Sequence, residues 1–590
     1  MNEQTTNTKL IAHLFFRLLP LQILLALVSA VNGIVSSLFA SNYVGAEAMA
    51  AIGLFSPVIR LLGTVSTVFV AGSQIACGRY MGANQVERTQ SVFFTDLVIT
   101  TAISLLTSAV LVLGAATDLT RIITSDDAVR AVLNRYIIGQ AIGIPPLIIG
   151  QQLSAFLSLE NRSRRATIAS LCYIAANVVL SWLFVVVLRM DALGLALATS
   201  LGLWVFLLVQ LQFYFSGKSV LKLSGGPMRV KDAAEIVKRG YTGALNNGYQ
   251  TLRYFIINGL ILTHIGSLGM TASAAVDSVM NIFWVIPTAI MTVTRMLMSV
   301  NIGEEDRQSL VDTMRVSLYR CLPMMACVSL GLILMAVPLT RLFFRDPADP
   351  VYQMTIDAFR LFPICMPLSV ILLQFSCYAQ TSGNQFMIHL LSLLDGLLCM
   401  VIFTALLIPR FGMNGFYAAY TCNGIICLVA IISYAWIRHK KFPRNVEQLM
   451  VIPDDFGVGP ENRIDISVRS IDDVVKVSDQ VMQFCKGKGI PISRAYMAAL
   501  FLEEMAVNVV EHGFKADKKS HSVDIRVVLD YDDIILRIKD DCIPFNPAEL
   551  QEIHDPKDRL RGAGIRMVYK GAKDVKYQNI LGLNVLTIRI

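Results

Sequence analysis

The sequence predicts an all-α membrane domain of about twelve helices in two six-helix repeats, followed by a cytoplasmic α+β sandwich. Composition is the first reason: 54% of the 590 residues are hydrophobic and only 16% are charged, which is typical of proteins that cross a membrane many times. The second reason is the distribution of charge, because acidic and basic residues are dense only from about residue 456 onward. We therefore expect two domains in different environments.

Apolar segments of about twenty residues have the length that a membrane-spanning helix needs. They form two sets of six, which begin near Leu10, Ala50, Gln90, Tyr136, Thr167 and Leu193, and near Gly240, Thr271, Thr313, Tyr352, Met387 and Met413. The predicted domains are a first bundle (1–223), a second bundle (224–440), a linker rich in Pro and Gly (441–460) and a C-terminal domain (461–590).

The two sets of helices repeat each other without a gap. Five pairs of residues are each 221 positions apart: Gly45 with Gly266, Met49 with Met270, Gly82 with Gly303, Pro146 with Pro367, and Gly194 with Gly415. A constant offset indicates a duplicated bundle, and parallel repeats of this kind are typical of transporters that alternate access around a central cavity.

Basic residues predict the orientation. Most Lys and Arg of the membrane region fall in the loops 78–88, 160–165, 217–240 and 303–307 and in the segment 438–444, whereas the alternate loops hold few. By the positive-inside rule, both termini are cytoplasmic, and we expect a multi-pass protein of a bacterial-type inner membrane.

Ionisable side chains within the predicted spans are candidates for transport, because such groups are costly in a bilayer and usually functional. The candidates are Asp277, Asp395 and Arg295, with Asn177 as a polar candidate. Asp277 and Arg295 share one side of a predicted helix but lie about 27 Å apart along it. For Asp96 we expect a position at the membrane interface, with the carboxyl group in water.

In the last 130 or so residues, the spacing of apolar and polar residues predicts an α+β sandwich, with helices on one face of an antiparallel sheet. The pattern predicts strands at 463–468, 523–529 and 533–538, helices at 471–486 and 493–512, and a final hairpin at 575–590.

Three motifs in this region predict nucleotide chemistry. Glu504 and Asn508 face one side of a helix, where a carboxylate can act as a general base and an amide oxygen can bind a Mg²⁺ ion on phosphates. Asp540 follows a strand, and its carboxylate can accept the amino hydrogens of adenine. Gly562 and Gly564 precede a helix whose N-terminal amides favour phosphate.

Four segments of the first domain resemble the multidrug and toxic compound extrusion (MATE) family: Val44–Leu54, Gly78–Asn84, Glu160–Arg164 and Gly194–Thr199. The resemblance implies efflux of small amphipathic or cationic compounds in exchange for H⁺ or Na⁺. Many members carry aspartates where this chain has Ser36 and Ser181, so cation coupling by the first bundle does not carry over.

The C-terminal motifs resemble the histidine-kinase-like ATPase fold, and above all the anti-sigma-factor serine kinases that pair with STAS-type proteins. The resemblance implies ATP with Mg²⁺, Glu504 as general base, Asn508 as the Mg²⁺ ligand, and Asp540 and Thr587 as adenine contacts. It also implies an ATP lid bounded by Gly562 and Gly564, with phosphate contacts from Lys557, Arg559 and Arg561. The family usually has glycine where this chain has Cys542.

We therefore expect a multidrug efflux antiporter, driven by a cation gradient, with a regulatory ATP-binding domain. The chain lacks the sequence GxxxxGK[ST] of ATP-driven exporters, so ATP is not the expected motor. Two alternatives stay open: a receptor that controls serine/threonine kinase activity toward a STAS-type partner, and a flippase for lipid-linked saccharides. We expect no nucleic-acid partner.

Overall fold

A computed structural model of the chain describes residues 7–39, 43–44, 46–122, 127–217, 219–223, 226–344, 346–515, 521–530, 532–551 and 563–590. The first half of the membrane domain comprises α1 (Asn7–Phe39), α2 (Ala46–Gly82), α3 (Val86–Ala116), α4 (Asp127–Ala141), α5 (Ile144–Leu159), α6 (Ser163–Ser181) and α7 (Asp191–Phe215). The second half comprises α8 (Val230–His264), α9 (Ser267–Gly303), α10 (Arg307–Tyr319), α11 (Cys321–Leu334), α12 (Ala336–Arg341), α13 (Pro350–Leu361), α14 (Cys365–Ser382), α15 (Gln385–Leu393), α16 (Cys399–Phe411) and α17 (Met413–His439).

Most of the predicted spans are long, apolar helices. Within the described ranges, ten helices are long and apolar enough to cross a membrane, and the pair α4–α5, bent by 41°, makes eleven. The one remaining predicted span, seventh along the chain, corresponds to α8. This helix has 35 residues but is not apolar enough to be counted with the others. Charged residues fill its first turns, and Asn246, Gln250 and Arg253 interrupt the rest. These three residues line a cavity described below.

The repeat predicted from the sequence is confirmed by the helix bounds. The offset of 221 positions maps α2 onto α9 at both ends and maps the start of α3 onto the start of α10. The loops after α2 and α9 also contain equivalent left-handed residues, Asn84 (φ 59°) and Glu305 (φ 54°).

The two bundles touch where α2 crosses α9. A Cβ atom at Gly82 would lie 2.1 Å from the carbonyl oxygen of Val300, and one at Gly303 would lie 1.9 Å from that of Arg79. The offset of 221 relates these two contacts, so each glycine admits the backbone of the partner helix. At this end of the membrane domain, the bundles are closed against each other.

The C-terminal domain is an antiparallel sheet with helices on one face, as predicted. It comprises β1 (Arg463–Val468), α19 (Ile471–Gly487), α20 (Ile492–Asn508), β2 (Val523–Asp530), β3 (Asp533–Asp540), α21 (Ala563–Gly571), β4 (Asp574–Ile580) and β5 (Leu583–Arg589). The strand order is β1-β2-β3-β5-β4. Alternate residues of β3, including Ile534, Leu536 and Ile538, pack with the helices in one apolar core. The predicted linker contains a short helix, α18 (Val446–Met450).

Candidate functional site

Asp277 and Asp395 line one cavity of about 260 Å³ inside the second bundle. The Asp395 carboxylate accepts a hydrogen bond from Asn423 Nδ2 at 2.8 Å, and its main-chain oxygen accepts one from Arg253 Nη1 at 3.0 Å. A π-helical turn, Leu394–Leu398, carries Asp395. The structure therefore brings together two of the predicted transport residues, which lie 118 positions apart in the sequence.

An aromatic wall closes this cavity beside the acids. The rings of Phe362 and Tyr420 are 4.4 Å apart, and Trp284 stacks on Phe362 at 6.3 Å. Two carboxylates with amide groups and one buried guanidinium form a set that can exchange a proton or hold a small cation. Because carboxylates inside a membrane protein usually serve transport, this cavity is a candidate coupling site.

Arg295 lies in a different cavity, although it shares α9 with Asp277. That cavity, of about 320 Å³, lies between the two bundles, and α1, α2, α5, α6 and α7 line it together with α9. Its polar wall includes Gln22, Gln74 and Gln151. The two candidates on α9 therefore belong to two separate sites, in agreement with their predicted distance along the helix.

Asn177 lies in the first bundle, away from both cavities. It is buried on α6, and its Oδ1 accepts a hydrogen bond from Ser181 Oγ at 3.3 Å. Ser36 lies on α1, but its side chain is outside the described part of the structure. Ser36 and Ser181, at the two positions where the resemblance led us to look for aspartates, thus carry hydroxyl groups.

The expectation for Asp96 is wrong. Its side chain is fully buried on α3, and neither carboxylate oxygen has a hydrogen-bond partner among the described residues. The sequence suggested an interfacial position because Asp96 is close to a loop. The packing of α3 against α2, α5 and α8 encloses it instead.

In the C-terminal domain, Glu504 contacts the start of α21. A Cβ atom at Gly564 would lie 1.9 Å from Glu504 Oε2, so this glycine leaves the space that the carboxylate occupies. One turn along α20, Asn508 Nδ2 donates a hydrogen bond to the Glu504 carbonyl oxygen at 2.6 Å. This bond uses the amide nitrogen of Asn508, and its amide oxygen is the type of ligand that Mg²⁺ binds. These residues fit a nucleotide with its Mg²⁺ ion.

Asp540 is fixed by a network at the end of β3. Its Oδ1 accepts hydrogen bonds from Asn584 Nδ2 at 2.7 Å and from the Cys542 N–H at 3.0 Å. Asn584 Oδ1 in turn accepts from Tyr577 and Asn579. Burial raises the pKa of the Asp540 carboxyl, although the bonds from Asn584 and Cys542 oppose that effect. The carboxylate is thus held in one orientation.

Thr587 does not join this site. Its partner across the sheet is Arg537, which faces away from the helices, whereas Asp540 pairs with Asn584 on the helix side. The prediction for Thr587 is therefore wrong, and Asn584 is the residue of β5 that the sequence reasoning missed. Cys542 points its sulfur toward Gly513, where an added Cβ atom would lie 3.0 Å away. The predicted lid residues Gly562, Lys557, Arg559 and Arg561 lie outside the described residues.

The outer face of the sheet docks on the membrane domain through buried charges. Lys539 forms an ion pair with Glu304, and Arg526 forms one with Asp306 at 2.6 Å. Arg537 also donates to the Glu304 carbonyl oxygen at 3.2 Å. The Glu304 and Asp306 side chains, in the loop after α9, are only 2% and 4% exposed. Burial alone would raise the pKa of Asp306, but Arg526 and Lys539 outweigh it and hold this pKa below its ordinary value.

The turn between β4 and β5 docks on the first bundle. The Leu581 N–H donates to the Leu159 carbonyl oxygen, at the end of α5, at 3.4 Å. Ile580 and Val585 are buried with residues of α1 in the apolar cluster of the membrane domain. The domain thus contacts both bundles at the end where they are closed. The sequence signal for this surface was the cationic series Arg526, Arg537 and Lys539 on strand positions that face away from the core.

Comparisons with known proteins agree with both halves. A family model described as MatE matches residues 20–183 and 244–406, more than half of the chain, and a histidine kinase-like ATPase domain model matches residues 469–590. None of the curated proteins compared matches the chain.

Solved structures share the fold of the membrane half. A MATE protein in complex with MaL6 is 18% identical with a TM-score of 0.68, over 75% of this chain and 99% of that one. A multidrug resistance MATE family transporter of the MOP superfamily, in an outward-facing conformation, is 18% identical with a TM-score of 0.66 over the same shares. A mutant of the Vibrio cholerae MATE transporter VcmN is 15% identical with a TM-score of 0.68, over 75% of this chain and all of that one.

Proposed function

The chain belongs to the MatE family, and we propose that it is an efflux antiporter for small amphipathic compounds, driven by a cation gradient and regulated by its ATP-binding domain. The observation that carries regulation is that the C-terminal domain touches the loop after α9 and the end of α5 at once. Alternating access requires the two bundles to separate at each side of the membrane in turn. A domain that bridges both bundles opposes separation on its own side.

We propose that coupling occurs in the second bundle. Asp277 and Asp395 share a cavity, and Asn423 already orients one of the carboxylates. Binding of H⁺ or Na⁺ would neutralise charge there, which is the usual role of acids inside a membrane protein. Asp96 is a second candidate proton carrier, because its carboxylate is buried within α3 and neither oxygen has a hydrogen-bond partner among the described residues.

The side of the membrane follows from charge. The docking loops, 160–165 and 303–307, belong to the basic set, so the positive-inside rule gives the C-terminal domain a cytoplasmic position in an inner membrane. ATP is abundant on that side. The bundles, closed at this end, would then face outward.

Residues of β3 connect the nucleotide site with the docking surface. Lys539 faces the membrane domain and the next residue, Asp540, faces the nucleotide side of the sheet. A shift of β3 on ATP binding would therefore reach the ion pairs with the membrane domain. The sequence contains no Walker motif, so the nucleotide acts as a signal in this proposal.

A second function is phosphoryl transfer to a STAS-type protein. The observation that favours it is the contact of Glu504 with Gly564 on the helix side of the sheet, opposite the docking surface. A partner could approach this side while the domain remains docked. In that case the membrane half would act as a receptor.

Reconstitution tests the proposal. Proteoliposomes are loaded with a fluorescent dye, either fluorescein or rhodamine 123, and efflux is followed under an imposed H⁺ or Na⁺ gradient, with and without ATP. We expect gradient-driven flux that Asp395→Asn abolishes and that ATP changes in rate. Flux that requires ATP without a gradient would refute the antiporter. Phosphorylation of a STAS-type protein without flux of either dye would favour the receptor.

A further inference from the structure

The cavity between the bundles contains one charged side chain, Arg295, among the residues that line it. Arg295 is partly accessible from this cavity, whereas its Nε is buried and has no hydrogen-bond partner in the described part of the chain. No salt bridge to Arg295 is present among the described residues. A guanidinium group therefore lines the cavity between the bundles without an acidic counter-ion among the described residues.

The surrounding sequence offers no carboxylate that could neutralise it. There is no Asp or Glu from residue 4 to 46, from 48 to 86, or from 278 to 303. These stretches include the whole of α1, nearly all of α2, and the part of α9 that reaches the cavity. Asp277 and Asp395, with Arg253, line a separate cavity.

We propose that the transported compounds are amphipathic anions, whose carboxylate or phosphate group binds Arg295. This inference rests on the proposed transport function and names its substrate class. A buried guanidinium without an acidic counter-ion is costly, and an anionic ligand would recover part of that cost. A cationic compound would add a second positive charge to the same space. The resemblance to exporters of cations therefore does not extend to the charge of this cavity.

The rest of the cavity fits such a molecule. Its volume of about 320 Å³ lies at the lower end of the range for drug-sized ligands. Val70, Leu25 and Phe206 supply apolar wall, and Gln74 Oε1 has no hydrogen-bond partner in the described structure. Thr292 and Thr288, about one and two turns before Arg295 on α9, line the same wall. An anionic head at Arg295 with an aromatic or aliphatic body along the apolar side would satisfy both surfaces.

The test is equilibrium binding to the purified full chain in detergent, followed by fluorescence anisotropy. Fluorescein is an anion and rhodamine 123 a cation on a similar aromatic frame, so the pair separates charge from shape. We expect fluorescein to bind more tightly, and Arg295→Gln to weaken it roughly 10- to 100-fold, the loss expected for a charged hydrogen bond. Arg295→Lys, which keeps the charge, should retain most of the preference for fluorescein.

The control is Arg60→Gln, because Arg60 is an exposed arginine on α2 that does not line the cavity. It should leave the affinity for both dyes unchanged. If Arg295 only supports the fold, Arg295→Gln will weaken both dyes equally, and the proposal is overturned. Tighter binding of rhodamine 123 than of fluorescein to the unsubstituted protein would overturn it as well.

Competition identifies the source of the anion. Phenyl phosphate represents a soluble ligand, and phosphatidic acid in mixed micelles represents a lipid. Displacement of fluorescein by either one supports the proposal and indicates which source fits. Binding in detergent needs neither a gradient nor ATP. Ion-driven flux without fluorescein binding would therefore overturn the anionic substrate class but not the antiporter. Fluorescein binding without any ion-driven flux would instead overturn the antiporter.

Discussion

Replacement of Asp306 by asparagine should release the C-terminal domain from the second bundle. The Asp306 carboxylate caps α10, accepting bonds from the N–H and the hydroxyl of Ser309, each at 2.8 Å. Asparagine is an equally good cap, so the helix is preserved and only the charge is lost. The change leaves Arg526 without one of its two acidic partners.

The expected cost is about 3 kcal/mol, the lower end of the range for breaking a buried ion pair. The lower end applies because Arg526 keeps Asp465, at 2.5 Å, and Lys539 keeps Glu304. A cost of this size shifts the equilibrium between docked and released domain about 100-fold. Because the docked domain opposes separation of the bundles, we also expect faster gradient-driven flux.

Hydrogen exchange followed by mass spectrometry measures the release. The Leu581 N–H, which is bonded to Leu159 in the docked form, should exchange about 100-fold faster in Asp306→Asn. The amides of Ile525 and Leu536, in the core of the sheet, should keep their protection. Glu305→Gln is the matched control, because Glu305 is the exposed acid of the same loop.

Two outcomes would refute this reasoning. Unchanged exchange at Leu581 would mean that the charges do not hold the domain in place. Equal acceleration throughout the sheet would mean that the domain unfolds and does not undock. A charge swap offers a further check, since Glu304→Lys combined with Lys539→Glu should restore protection that either single change removes.

Three further predictions concern other parts of the chain. Glu504→Ala and Asn508→Ala should abolish the effect of ATP on flux, whereas gradient-driven flux itself persists; loss of flux without ATP would contradict the assigned roles. Asp96→Asn should remove H⁺-driven flux if this buried carboxyl carries the proton, and Asp357→Asn, in a partly exposed acid of α13, is the control. Burial raises the pKa of Asp524 to about 6, so its charged form costs stability above that pH and the cost disappears as the pH falls toward 4. Asp524→Asn should therefore increase the free energy of unfolding of the domain at pH 8 by about 3 kcal/mol at most, measured as a higher thermal unfolding midpoint, and should have little effect at pH 4; an equal gain at both values would show that its charge is not the cause.

Much of the fold could be predicted because its signals are local. The strands β2 and β3 alternate apolar and polar residues, and their bounds agree with the pattern to within a few positions. The offset between Gly82 and Gly303 in the sequence predicts the repeat, and the two glycines make equivalent contacts in the structure. The spacing of Glu504 and Asn508 likewise indicated a shared helix face, which is present in α20.

Other features could not be predicted from local signals. Thr587 fits the expected motif, but the register of β5 against β3 turns it to the docking surface and turns Asn584 to Asp540. Since a strand alternates its faces at each residue, the assignment depended on a pairing that the sequence does not state. Asp96 is near a loop in the sequence, yet the surrounding helices bury it.

A duplicated helical membrane domain joined to a histidine kinase-like ATPase domain could be predicted from the sequence alone, because periodicity, composition and motif spacing are properties of neighbouring residues. How the two halves meet depends on the tertiary structure. Lys539 and Glu304 are 235 positions apart, and no local pattern pairs them. The tertiary structure also decided that Asp277 and Arg295, on one helix, face different cavities, since each cavity is defined by the helices that pack around it.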